Sequence, residues 1–279
     1  MFEDVTDTAL WVAAYRARES VRPDALFRDL FADRLSGERG KELARNVDGS
    51  ANFEWSIVVR TRVIDDLLRD AIAAGADTVV NLGAGMDARP YRLDLPSALH
   101  WIEVDAPRIL ELKEQRLPVE GARCRLARVA LDLSDAAARR TFLGGLRGDH
   151  AVVLTEGVIA YLDNGAVTEL ARDLRACTPV RRWIVDYTSP MLRRAMHKRR
   201  RFRRDFRRAP FRFEPADWYR HFEDEGWRIA SMHYLVEAGE VLGRPVPLPL
   251  RLRILKPFLP RRMKDEMRRM MGHAVLVPA

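Results

Sequence analysis

Little in this chain could support a disulfide framework, a zinc site or a membrane span. Only two cysteines occur, Cys124 and Cys177, among 279 residues. They offer neither disulfide spacing nor zinc spacing, so buried free thiols are expected. Six histidines are scattered without a pair at metal-ligand spacing, which predicts no catalytic metal. No apolar run approaches the roughly 20 residues of a membrane span. The opening Met1-Phe2-Glu3-Asp4 is acidic and lacks a signal-peptide core. A cytoplasmic protein without a membrane span is the expectation. No repeat of solenoid period is visible.

What is present is apolar residues and arginine. An apolar content of 47% can fill the core of one large domain, or of one domain with a cap. The net charge of +8 and pI near 9.9 invite anionic partners: nucleic acid, a membrane, an acidic carrier protein or an acidic small molecule.

The rest of the chain is organised around Val79-Val80-Asn81-Leu82-Gly83-Ala84-Gly85-Met86-Asp87-Ala88-Arg89-Pro90-Tyr91-Arg92. An apolar run ends in a glycine turn, and Gly83 and Gly85 can let backbone approach a ligand closely. A second run, His100-Trp101-Ile102-Glu103-Val104-Asp105, ends on carboxylates. Strand, glycine turn, helix, strand and acid suit a cofactor that contains a nucleotide. A dinucleotide would need a long helix whose N-terminus holds a pyrophosphate. Pro90 would lie inside that helix, at a cost of about 3 kcal/mol. Asp87 would place a negative charge beside the phosphates. Both points favour S-adenosylmethionine, which carries a sulfonium and no phosphate.

The stretch from Val80 to Leu93 resembles the signature of the leucine carboxyl methyltransferase superfamily. Its closer likeness is to the bacterial branch containing tetracenomycin-type polyketide O-methyltransferases. Thr8 to Ser20, Val59 to Asp66, Leu131 to Asp135 and Ala151 to Leu162 resemble further motifs of that group. The likeness implies an α/β class I methyltransferase fold: a Rossmann-like, mostly parallel sheet whose last strand is antiparallel. It implies an N-terminal helical extension over residues 1–75, a cofactor-binding core over 76–188, a basic cap over 189–226 and C-terminal strands over 227–279. It also implies roles for single residues. Gly83, Ala84 and Gly85 cradle the cofactor, and Arg60 binds its methionine carboxylate. Asp105 contacts its ribose, Asp132 its adenine amino group, and Leu133 the adenine ring. Glu156 lines the junction of cofactor and substrate. Arg16 faces the cofactor carboxylate, unless it is simply a solvated helix residue. For Arg60 the alternative is a surface i,i+4 pair; for Asp132 it is a helix cap. Arg62 stays undecided, Glu103 has a weaker claim than Asp105, and Tyr161 either walls the pocket or joins the core.

Periodicity predicts helices over 7–20, capped by Asp7 or Thr8, and over 23–31 and 54–74, with a loop over 37–52. Strands are expected over 77–82, 100–104, 123–130, 183–187, 227–237 and 273–277, with another starting at Ala151. Helices are expected over 136–143, 164–177 and 215–225, and irregular chain over 243–260. The arginine-dominated run from 191 to 212 holds Met196, Phe202, Phe206 and Phe211. It reads as a solvated face, as a dock for an anionic substrate or acidic carrier protein, or as a nucleic-acid or membrane surface.

A carboxylic acid is ionised at neutral pH and needs no general base, whereas a phenol is only about a thousandth ionised there. No Ser-His-Asp pattern or clear base is visible. His197, His221 and His233 are candidates only by residue type. Methyl ester formation on a small carboxylate is therefore expected. A phenolic O-methyltransferase is the alternative, and a nucleic-acid-binding protein using the 193–208 run is the reading from another class.

Overall fold

The computed structural model describes every residue except 1, 3, 47–49, 199, 201–203, 205, 208–209 and 256–257, and gives backbone only at 50, 252, 253 and 255. Seven strands form one sheet: β1 (Thr78–Leu82), β2 (His100–Asp105), β3 (Arg125–Ala130), β4 (Ala151–Thr155), β5 (Val180–Thr188), β6 (Trp227–Tyr234) and β7 (Met271–Pro278). Their order is β3-β2-β1-β4-β5-β7-β6. The first five run parallel, and β7 enters antiparallel between β5 and β6. β1 and β4 are buried at every position, as strands covered on both faces must be.

Alternate residues on the strands feed two cores. Val80, Leu82, Val153 and Trp183 pack against α6 (Ala136–Gly144), α7 (Asn164–Ala176) and α9 (Trp218–Glu223). Val79, Trp101, Val152, Leu154 and Ile184 pack against α3 (Ser50–Ala73). The sheet order reverses at β1, which lies between β2 and β4. A ligand crevice is expected at the carboxyl ends of the strands at such a switch point. Gly83 leaves β1 there, and Glu156 leaves β4 beside it.

The helix after the glycine turn is short, as Pro90 predicts. α4 (Arg89–Arg92) spans one turn with its proline in the first positions. α5 (Pro107–Arg116), which periodicity did not reveal, follows β2. Cys177 is buried and Cys124 half-buried, both as free thiols.

The N-terminal layer departs from expectation in three places. α1 (Val5–Ser20) begins two residues early because Asp4, not Asp7 or Thr8, accepts hydrogen bonds from the Thr6 and Asp7 N–H groups. Residues 23–31 form no helix. Side chains satisfy that backbone instead: Leu26 N–H donates to Glu19 Oε1 at 2.7 Å, and Asp29 N–H to Ser20 Oγ at 2.8 Å. α2 (Ala32–Asn46) then fills most of the expected loop, broken at Gly37. Leu35 and Leu43 are its large buried side chains, and Gly40 lets it press on α1, where a Cβ would meet Leu10 O at 2.4 Å.

Two further departures lie toward the C-terminus. The expected helix over 215–225 shrinks to α9. The expected irregular stretch over 243–260 contains α11 (Leu250–Leu255), which fits into the proline-free window between Pro249 and Pro257. The remaining helices are α8 (Pro190–Lys198), α10 (Leu235–Val241) and α12 (Arg261–Arg268).

One acid ties α3 to α4. Asp65 is fully buried and accepts from Arg89 Nε at 2.7 Å and from Arg92 Nη1 and Nη2 at 2.6 and 2.7 Å. Removing one partner of a buried ion pair leaves an uncompensated charge, which costs about 3–5 kcal/mol. Asp65→Ala is therefore expected to lower the unfolding free energy by about that amount in urea titrations. A loss below about 1 kcal/mol would show that Arg89 and Arg92 find other partners.

Candidate active site

The bend after β1 is held from three sides. Gly83 N–H donates to Val104 O at 2.7 Å, tying the bend to β2. Gly83 has φ +71°, and a Cβ there would lie 2.4 Å from Val158 Cγ2, so both conformation and space demand glycine. Gly85 N–H donates to Asp105 Oδ2 at 2.7 Å, while Ala106 N–H reaches Asp105 Oδ1 at 2.7 Å. Burial raises the Asp105 pKa, and these two donors oppose that rise. α1 lies over the bend: a Cβ on Gly85 would be 3.2 Å from Ala9 Cβ. Ala84 is buried within the same bend.

Beneath the bend lies a buried ion cluster. Arg89 is 1% exposed and reaches Asp65, Asp87 Oδ2 at 2.8 Å and Glu156 Oε2 at 2.7 Å. Asp87 also accepts from Asn81 Nδ2 and from the Arg89 N–H, each at 2.9 Å. It therefore turns inward and is neutralised. Burial alone would raise the Glu156 pKa, but Arg89 and then Arg60 hold it well below the usual carboxylate range. Arg60 Nε stands 2.9 Å from Glu156 Oε1, out of line for a hydrogen bond. The i,i+4 surface pair falls instead to Arg62, which grips Asp66 at 2.9 Å.

Arg16 is not a solvated helix residue. It is 6% exposed, donates from Nε to Asp29 Oδ2 at 3.0 Å, and hydrogen-bonds through Nη2 to the Met86 carbonyl. It thus fastens α1 to the glycine bend. Glu103 is fully buried against Lys113 Nζ at 2.7 Å and Arg128 Nε at 3.0 Å, so its carboxylate is taken up in a structural ion cluster. Asp132 is exposed and accepts from Ser134 N–H and Oγ at 2.9 and 2.8 Å. The cap of α6 is Asp135, so Asp132 does not serve as one. Leu133 is half-buried, and its carbonyl accepts from Arg139. Tyr161 is half-buried, touches Thr8 of α1, and stacks edge-on against Phe211 at 5.2 Å. Burial pushes its phenol up to about 12, so it stays protonated at neutral pH.

Sequence reasoning missed Arg89, Asp186 and His273. Asp186 stands near the carboxyl end of β5, accepts from the Gly157 N–H, and lies 3.0 Å from His273 Nε2. Its position resembles that of Asp105, an acid ending a core strand, which was the available signal. His273 is 2% exposed and sits within β7. Of the named histidines, His197 is near Glu214 at 3.3 Å, His221 packs on Phe213, and His233 meets Ser231 Oγ at 2.9 Å. A cavity of about 650 Å³ opens where β5 ends, lined in part by Tyr187, Ser189, Met191, Arg194, Tyr219 and Arg269.

These residues suit S-adenosylmethionine better than a dinucleotide. Arg60 Nε is a buried donor without an aligned acceptor, which a carboxylate would satisfy. No helix begins at the second glycine to face a pyrophosphate, since α4 starts four residues later.

Comparison with known proteins agrees. The model of the leucine carboxyl methyltransferase family matches residues 9–175. A Mycobacterium avium protein, named as an inferred S-adenosyl-L-methionine-dependent methyltransferase, is 33% identical over 273 residues, 88% of this chain and 86% of its own. A Rhodococcus jostii protein of the same description is 38% identical over 168 residues, and the match spans only 57% of each chain. Among solved structures, a DUF574-family protein from Streptomyces avermitilis superposes with TM-score 0.55 at 16% identity, covering 96% of this chain and 97% of its own. An inferred methyltransferase from Thermobifida fusca superposes with TM-score 0.52 at 13% identity, covering 95% and 94%. Fold, bend and relatives converge: this chain belongs to the leucine carboxyl methyltransferase family, a family of S-adenosyl-L-methionine-dependent methyltransferases.

Proposed function

We propose that the chain transfers a methyl group to the carboxylate oxygen of a small acidic metabolite, polyketide-like in character, giving a methyl ester. The observation that carries this reading is the state of Glu156. Two arginines hold it ionised, so it is a poor proton acceptor at the mouth of β4. Tyr161 keeps its proton, and His273 is almost wholly enclosed. A carboxylate acceptor needs none of them as a base.

When bound, S-adenosylmethionine supplies a methyl already activated on a sulfonium. The protein's task is then to orient the acceptor and exclude water, and positioning of this kind can lower a barrier by roughly 7–11 kcal/mol. Arg60 would hold the methionine carboxylate, Asp105 the ribose hydroxyls, and Asp132 and Leu133 the adenine. Arg16 would act by fixing α1 over the bend. Gly83, Ala84 and Gly85 would give the backbone approach, and Glu156 would favour the nearby sulfonium. The cavity at the end of β5 lies on the same sheet edge and falls within the roughly 300–1,000 Å³ of small-molecule sites. On its wall Arg194, Arg262 and Arg269 outnumber Asp265 and Glu266, a balance that suits an anionic acceptor.

A phenolic acceptor is the second reading, and the Asp186–His273 pair is what favours it, since a positioned base contributes about 10²–10⁴. The nucleic-acid reading loses its aromatics. Phe206 is 4% exposed within the N-terminal core, Phe211 packs on it at 5.6 Å, and Phe202 lies outside the described residues.

Asp105→Ala and Arg60→Ala are each expected to weaken S-adenosylhomocysteine binding by at least about tenfold in calorimetry, with the melting temperature retained. Unchanged affinity in both would remove them from the cofactor site. For the acceptor, kcat/KM should stay flat between about pH 6 and pH 9, because the carboxylate is already ionised. A rise of about tenfold per pH unit would instead assign a phenol.

Glu156 also sets an acid limb of stability. Its folded pKa lies below the unfolded value of about 4.3, so its contribution is complete above that pH and fades as pH falls. Glu156→Gln should make the loss of unfolding free energy between about pH 5 and pH 3 shallower than in the native chain. Parallel limbs would show that Glu156 is not linked to folding.

A further inference from the structure

The most unusual surface lies between α10 and β7, away from the glycine bend. From Val241 to Lys264 the chain carries seven lysines and arginines and no acid, against a net charge of +8 for the whole protein. The same stretch holds five of the eight large apolar side chains found exposed among the described residues: Val241, Leu250, Ile254, Phe258 and Met263. Leu250 and Ile254 stand one helical turn apart on α11 at 70% and 60% exposure, and Phe258 is 83% exposed. Scattered exposed apolar residues are ordinary, but clustering among cations is not.

Both ends of this stretch are fixed to the body. Arg244 O accepts from Trp55 Nε1 at 2.7 Å, and the Arg244 guanidinium reaches Glu19 and Asp24. β7 starts at Met271 inside the sheet. Five prolines between 245 and 260 stiffen the chain between those anchors. The apolar side chains are therefore held outward on a restrained support, which lowers the entropy lost on docking.

We propose that this face docks on the surface of an anionic lipid bilayer. Exposed aliphatic and aromatic side chains entering the headgroup region, flanked by cations that meet anionic headgroups, are what such binding requires. A second copy of the chain is disfavoured, since two faces that each carry the exposed Arg251 and Arg261 repel. Nucleic acid would use the cations, but aliphatic side chains have no place against phosphates, and only Phe258 could stack on a base. α12 belongs both to this face, through Met263, and to the cavity at the end of β5, through Arg262 and Glu266. Docking would bring that cavity close to the bilayer.

Sedimentation of the full chain with vesicles tests this. Vesicles of phosphatidylcholine containing about 30 mol% phosphatidylglycerol should bind at least about tenfold more tightly than phosphatidylcholine alone. Raising salt from about 0.1 to 0.5 M should weaken the binding. Leu250→Ser combined with Ile254→Ser and Phe258→Ser should abolish most of it, as should Arg251→Gln with Arg261→Gln. All five side chains are exposed, so the melting temperature and S-adenosylhomocysteine affinity should not change. No binding to either vesicle, or equal binding to both, overturns the proposal. So does undiminished binding by the apolar variant, or a dimer or a nucleic-acid complex that this variant disrupts while vesicles stay unbound.

Discussion

The guanidinium of Arg89 is the interaction on which the site depends. Alone at 1% exposure it would be prohibitively costly, and it is tolerable only because three carboxylates meet it. Those acids come from different parts of the fold: Asp65 from α3, Asp87 from the bend after β1, and Glu156 from the exit of β4. One side chain thus brings helix, bend and strand end together. It also holds Glu156 as an anion. Arg92, Asp29 and Arg16 extend the cluster outward to α1. The polar centre and the N-terminal covering are one electrostatic unit.

Much of the sheet was legible in the sequence because its strands are buried on both faces and read as continuous apolar runs. The glycine bend could be read because a positive φ and a close neighbour leave no other residue type. Pro90 announced the short helix behind it. The antiparallel last strand followed from the resemblance, since no local pattern separates it from a parallel one. The N-terminal layer was harder. Residues 23–31 carry helical periodicity, yet Glu19 and Ser20 compete for their backbone N–H groups, and that competition is set by packing. α2 hid in a polar stretch because much of its burial comes from small residues, Ala32, Ser36, Gly40 and Ala44.

The ion cluster was not legible at all. Asp87 and Arg89 stand within the most informative motif of the chain, but nothing local says that they turn inward rather than toward a ligand. Asp65 looks like any helix acid until α4 is folded against α3. His273 is separated from Asp186 by 87 positions and meets it only because β7 inserts beside β5. Partners of this kind are products of topology, and a reading by residue type picked the three other histidines instead.

The N-terminal helices and the segment after β5 are far apart along the chain. Phe206 makes them one. Its ring lies 4.9 Å from Phe2, 6.2 Å from Trp11 and 6.0 Å from Phe53, inside the core of the N-terminal layer. One aromatic cluster therefore anchors both segments, so a change in the packing of either is felt by the other.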